Sequence, residues 1–151
     1  MPGVGARFHV GYTTTGNFTM KDGSSAHIAG YEYGVEFPVF KLGGSSINLY
    51  PSALIPKKNS SNSSGKVWRF LLIARQNLPG TQLYTFYAAG VSYTQAEAGA
   101  FDDVSAFETQ VGGGLPLTGL LGKLSPAVEV AYHNANKGQI KGFTIGVNVS
   151  F

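Results

Sequence analysis

Phe143-Thr144-Ile145-Gly146-Val147-Asn148-Val149-Ser150-Phe151 decides how this sequence is read. Phe143, Ile145, Val147, Val149 and Phe151 alternate with Thr144, Gly146, Asn148 and Ser150. A period of two places successive side chains on opposite faces of a strand, here one apolar and one polar. A last strand that stops on an exposed aromatic is unusual for a soluble domain.

The same alternation recurs through the 151 residues. Segments are read at about 4–14, 27–39, 46–55, 67–75, 82–94, 106–117 and 124–134, ahead of the closing 143–151, with ends good to about 2–4 residues. Val4, Ala6, Phe8, Val10 and Tyr12 oppose Gly5, Arg7, His9 and Gly11. Tyr31, Tyr33, Val35 and Phe37 oppose Gly30, Glu32, Gly34 and Glu36, and Trp68, Phe70, Leu72 and Ala74 oppose Arg69, Leu71, Ile73 and Arg75. The third segment is the weakest, because Pro51 lacks a ladder donor and predicts a bulge or an early end there. Each segment is near the roughly 9–11 residues a tilted strand needs to cross hydrocarbon.

Composition agrees. Charged residues are 13% of the chain, aromatics another 13%, and 21 residues are glycine. That charge content is about half the share usual for a soluble domain. No run approaches the roughly 18 apolar residues of a membrane helix, so the spanning solution left is a closed barrel. The chain is read as one domain, residues 1–151: an all-β, eight-stranded, antiparallel, up-and-down transmembrane β-barrel. No charged-then-apolar leader is read at Met1-Pro2-Gly3, which suits a mature exported chain and a cytosolic one alike. Cysteine is absent and the net charge is only +3, without the basic run that marks a nucleic-acid surface.

Sidedness supplies the sharpest test. Arg7, Glu32, Glu36, Arg69, Arg75, Glu108 and Glu129 all fall opposite the apolar row. Random sidedness would do this about once in a hundred trials, given strict period two. A soluble ligand-binding barrel would turn the apolar face inward and leave an outer wall of Gly, Ser and few charges, which the apolar-patch argument opposes. Connections near 41–45, 77–81 and 118–123 read as short turns. Those at 15–25, 56–65 and 95–105 read as longer polar loops, the asymmetry of a membrane barrel with its short turns toward the periplasm. The Ser/Asn run from Asn59 to Gly65 is expected to be mobile.

The candidate interior is a charge network of Arg7, His9, Glu32, Glu36, Arg69, Arg75, Glu108, Glu129 and His133. Pairing Arg7 with Glu36 and His9 with Glu32 follows from a first hairpin closed around 15–25. Depth puts Arg75 beside Glu129 and Arg69 beside Glu108. The many glycines on this face are expected to make room for Arg and Glu. Such a network either only holds the barrel shut or acts as a gate whose pairs exchange. Outward, Tyr12, Trp68, Tyr93, Phe107, Tyr132 and Phe143 form a candidate aromatic girdle at headgroup depth.

For chemistry the sequence is thin. No metal-ligand spacing is present and no cofactor is expected. His133, Ala135 and Asn136 loosely resemble the His-x-Ser-Asn segment of outer-membrane lipid A deacylases, but alanine stands at the nucleophile. The chain is therefore not read as an enzyme.

Taken together, the eight alternating strands, the Arg/Glu interior, the loop asymmetry and Phe151 resemble the small outer-membrane barrels of the OmpA transmembrane-domain and OmpX type. The resemblance implies residence in a bacterial outer membrane, contact with outer-membrane lipids and lipopolysaccharide, and a monomer. It also implies insertion by the outer-membrane assembly machinery, with Phe143, Ile145, Val147, Val149 and Phe151 as the signal. The role implied is structural or surface interaction through the loops, with a small gated pore as the alternative.

Overall fold

The computed structural model describes residues 5–19, 25–43, 45–56, 64–97, 104–119, 124–135 and 141–150. Eight strands follow one another: β1 (Arg7–Thr19), β2 (Ser25–Leu42), β3 (Ser45–Pro56), β4 (Ser64–Asn77), β5 (Tyr84–Glu97), β6 (Val104–Pro116), β7 (Ser125–Ala135) and β8 (Lys141–Ser150). Every neighbouring pair is antiparallel, and β8 returns to β1 through Arg7↔Ser150 and Val10↔Val147, closing the barrel. Closure removes the open edge that an eight-stranded sheet would otherwise expose. The eight segments of alternation are these eight strands.

Two expectations change. β3 does not end or bulge at Pro51. It pairs with β4 without interruption from Ser46↔Arg75 through Pro51↔Phe70 to Leu54↔Val67. The register with β2 is the same on both sides of Pro51, at Gly34↔Ser52 and Phe37↔Leu49. The irregularity lies instead on β2, between Pro38 and Phe40. Second, 15–25 is not simply loop. After a register shift between Thr13 and Gly16, β1 and β2 continue as a paired ribbon to Thr19↔Ser25. β4 and β5 likewise stay paired to Ser64↔Glu97. The wall on this end is therefore drawn out beyond the aromatic pairs Tyr12↔Tyr31 and Trp68↔Tyr93, in the β1–β2 hairpin and in the adjoining ends of β4 and β5. At the opposite end the turns hold Gly43, Gly80 and Gly119 at φ of 60°, 75° and 84°, a conformation that side chains with a Cβ resist.

The wall is apolar outside. Among the described residues, twenty-six large hydrophobic side chains stand exposed, including Phe70, Tyr87, Val91, Phe107 and Ile145. The inside holds a mixed core in which Leu71, Ile73, Tyr84, Phe86 and Ala131 pack beside buried Arg, Glu and His. Glycines opposite the rings make this possible, and that corrects the reading that they make room for Arg and Glu. A Cβ at Gly34 would collide with the Tyr50 ring, at Gly112 with Phe86, and at Gly114 with Tyr84.

Candidate functional site

Period-two geometry on all eight strands aims the interior side chains, and two stacked clusters result. In the half nearer the short turns, Arg75 of β4 grips Glu36 of β2 with Nε at 2.9 Å and Nη2 at 2.8 Å. Its Nη1 donates to Glu129 of β7. Asn48 donates to the same Glu36 carboxylate. His9 of β1 contacts Glu36 through Nε2 at 2.9 Å and lies 3.6 Å from Glu129 through Nδ1. The Tyr84 hydroxyl donates to Glu129 at 2.6 Å and accepts from Asn148 at 3.1 Å. The Arg75 guanidinium carbon lies 5.0 Å and 5.3 Å from the ring centres of Phe86 and Tyr84. The planar cation thus gains ring contacts as well as two carboxylates.

In the half nearer the drawn-out hairpins, Arg69 reaches Glu108 of β6 through Nε at 2.9 Å and Glu32 of β2 through Nη1 at 2.9 Å. Gln110 donates to Glu108 at 3.1 Å, and His133 Nδ1 lies 3.2 Å from the same carboxylate. Tyr50 donates to Glu32 at 2.8 Å, while its ring lies 4.8 Å from that of His9, so Tyr50 ties the two clusters together. Burial is nearly complete: Arg69 and Glu108 are 0% exposed and Glu36 and His133 1%.

Charges so deeply placed persist only when each finds partners, because desolvation is worth several kcal/mol per ion. Each of the four carboxylates accepts from at least one Arg and one neutral donor. Between the clusters lies a cavity of about 40 Å³ lined by His9, Glu32, Tyr50, Gln110, Glu129 and His133 among others. That is room for roughly one to three waters, far less than an open channel.

Arg75 with Glu129, and Arg69 with Glu108, are thus brought together, whereas two other pairings are not. Arg7 sits opposite Glu36 in register, yet is half-buried and, among the described residues, joins no ion pair. It opens β1 at the barrel mouth, and Glu36 is already held by Arg75 and His9. His9 pairs with Glu36 and Glu129 rather than Glu32. Its register partner is Gly34, equidistant in sequence from both acids, and Glu32 is engaged by Arg69 and Tyr50. The interior therefore sets four carboxylates against two guanidiniums and two imidazoles. Tyr50, Tyr84, Asn48, Gln110 and Asn148 belong to the network without having been singled out from the sequence. Their inward parity was the available signal.

Outside, Trp68, Tyr93, Phe107 and Phe143 are exposed and Tyr12 and Tyr132 half-exposed, all toward the hairpin end. Tyr12 meets Tyr31 at 5.2 Å between ring centres, and Tyr132 meets Phe143 at 5.1 Å. On β8, Phe143, Ile145 and Val147 are exposed and Val149 half-buried; Phe151 lies outside the described residues. So do Asn136 and the run from Asn59 to Ser63. His133, the histidine of the deacylase-like segment, points into the interior against Glu108 rather than outward. Among the described residues, no group of three or more His, Cys, Asp or Glu is arranged to hold a metal ion.

The sequence matches no family profile and no curated protein sequence. Solved structures do match the fold. Neisserial surface protein A (NspA) superposes with a TM-score of 0.59 at 11% identity, over 97% of this chain and 96% of the other. Ail, the attachment invasion locus protein of Yersinia pestis, superposes with a TM-score of 0.52, also at 11% identity, over 97% of each chain. Both neighbours are eight-stranded outer-membrane β-barrels. At this identity the likeness is one of fold.

Proposed function

We propose that this chain is an integral outer-membrane barrel whose interior is a structural plug and whose working surface is the hairpin end. One observation carries the reading: the distribution of polarity is inverted relative to a water-soluble barrel. Every Arg and Glu side chain described within the strands lies on the inner face, and the outer wall is apolar. In water, an unbroken apolar wall of this extent drives aggregation; in hydrocarbon it is at equilibrium. The aromatic pairs Tyr12–Tyr31 and Tyr132–Phe143 suit the headgroup level of the leaflet nearer the hairpins. Phe143, Ile145, Val147, Val149 and Phe151 would serve the assembly machinery by strand addition to an open edge. The extension of β1–β2 and of the paired ends of β4 and β5 past the aromatic pairs supports a surface-interaction role, because it carries paired strand beyond the headgroup level.

A small gated pore is the second reading. The cavity between the clusters favours it, together with Arg69 Nη2 and His133 Nε2, which have no hydrogen-bond partner among the described residues.

The test is refolding from urea into phosphatidylcholine vesicles and, in parallel, into plain buffer. Folding is followed by Trp68 fluorescence and by faster migration of unheated samples in gels. Vesicle-dependent folding is expected, and a folded, dispersed protein in buffer alone would overturn the proposal. Planar-bilayer recording then separates the two readings: silence supports the plug, whereas discrete conductance steps changed by Arg69→Ala establish the pore.

A further inference from the structure

The outer wall is not uniform. Across β4 to β7 the small side chains Ala74, Ala89 and Thr109 leave a groove between the larger Leu72, Tyr87 and Tyr132, with an open volume of about 640 Å³. Two register rows build it: Ala74↔Tyr87↔Val111↔Tyr132, and Leu72↔Ala89↔Thr109↔Asn134. The second row changes character as it climbs toward the hairpin end, from Leu and Ala to Thr109, then Asn134, then Asn134's partner Lys141. Thr109 satisfies its hydroxyl on the Asn134 carbonyl at 3.4 Å. The Asn134 amide and the Lys141 ammonium, both exposed, remain side by side, since cross-strand partners sit about 4.5–5.5 Å apart at Cβ. Directly below them the Tyr132 and Phe143 rings meet.

We infer that this groove is a lipid-binding site, with the phosphate-bearing headgroup of a lipopolysaccharide molecule on Lys141 and Asn134 and one of its acyl chains lying over Ala89 and Ala74. The inference rests on the membrane reading above and adds a place and a ligand to it. Charge complementarity identifies the occupant. The charged side chains described on the outward face are Lys66 and Lys141, both cationic and both near strand ends; Lys41 is exposed at the other mouth, on the register row of Ser46 and the inward Arg75. No described acidic side chain faces outward, so a second copy of this wall would bring Lys141 no counter-charge. A phosphate supplies one, and a lysine near the membrane surface is worth about 1 kcal/mol against anionic lipid. Lys66 provides the internal control. It is exposed at the same end beside Trp68, but its register partner Gln95 does not line the groove, whereas Asn134, the partner of Lys141, does.

The experiment uses native mass spectrometry of the full chain, refolded in phosphatidylcholine bicelles and released into mild detergent. Purified lipid A, phosphatidylglycerol and extra phosphatidylcholine are supplied in separate arms. One retained lipid A per barrel is expected. Lys141→Gln should lower the retained fraction about fivefold, the equivalent of that 1 kcal/mol. Ala89→Leu, which fills the groove while keeping an apolar outward residue, should lower it likewise, and Lys66→Gln should leave it unchanged. Equal retention of phosphatidylglycerol overturns the lipopolysaccharide assignment. Equal loss in all three variants, or in none, overturns the site. Failure to fold in bicelles removes the membrane reading itself, whereas folding without selective retention removes only this inference.

Discussion

Arg69→Met is the most demanding perturbation of the interior. Arg69 is fully buried and binds Glu108 at 2.9 Å and Glu32 at 2.9 Å from opposite sides. Methionine keeps an unbranched apolar stem but removes both charge-assisted hydrogen bonds. Two buried carboxylates then share the pocket with only the His133 imidazole between them. Removing one partner of a buried ion pair costs about 3–5 kcal/mol, mostly from the charge left behind. Neutralising one of the stranded acids should recover part of this. Arg69→Met combined with Glu108→Gln is therefore expected to be more stable than Arg69→Met alone, with a coupling of about 1–3 kcal/mol. Reversible urea unfolding in phosphatidylcholine vesicles reads both quantities. Trp68, the single tryptophan, sits next to Arg69 on the outer face and reports the loss of its lipid contact. If Arg69→Met unfolds within about 0.5 kcal/mol of the parent protein, a scale typical of surface changes, the network is not what holds this barrel shut.

Four further outcomes are expected. Val111→Arg puts a charge on the outer wall between Tyr87 and Tyr132 in register; it should lose about 2–4 kcal/mol in vesicles, and equal stability would argue against a hydrocarbon-facing wall. Gly114→Ala drives a methyl into the Tyr84 ring and should cost about 1–3 kcal/mol by overpacking. Gly113→Ala, whose Cβ meets only the Tyr84 carbonyl oxygen at 3.2 Å, should cost clearly less, and the same urea series compares the two. Tyr50→Phe deletes the hydroxyl that donates to Glu32 at 2.8 Å; a loss of about 1.5–3 kcal/mol is expected for a hydrogen bond to a charged group, and none would place Glu32 outside the network.

What the chain determined by itself was local. Period two is a property of the strand backbone, so eight runs of alternation established eight strands. The confinement of Glu32, Glu36, Arg69, Arg75, Glu108 and Glu129 to one face of them established which face turns inward. Depth along the strands was legible too, and so Arg69 could be set beside Glu108 and Arg75 beside Glu129. Pro51 shows the limit of local reasoning. A missing donor suggests a break, yet β3 runs through it because pairing with β4 on its other side is unbroken.

Tertiary structure decided the partners. Arg75 of β4 serves β2 and β7 together, and Arg69 serves β2 and β6, across a lumen whose geometry appears only once β8 closes on β1. Neither sequence spacing nor hairpin register carries that information. It left Arg7 at the mouth, moved His9 from Glu32 to Glu36, and recruited Tyr50 and Tyr84 through glycines on neighbouring strands. Alternation is set residue by residue, whereas the choice among four carboxylates is settled by competition within one small volume where each buried charge must find a partner.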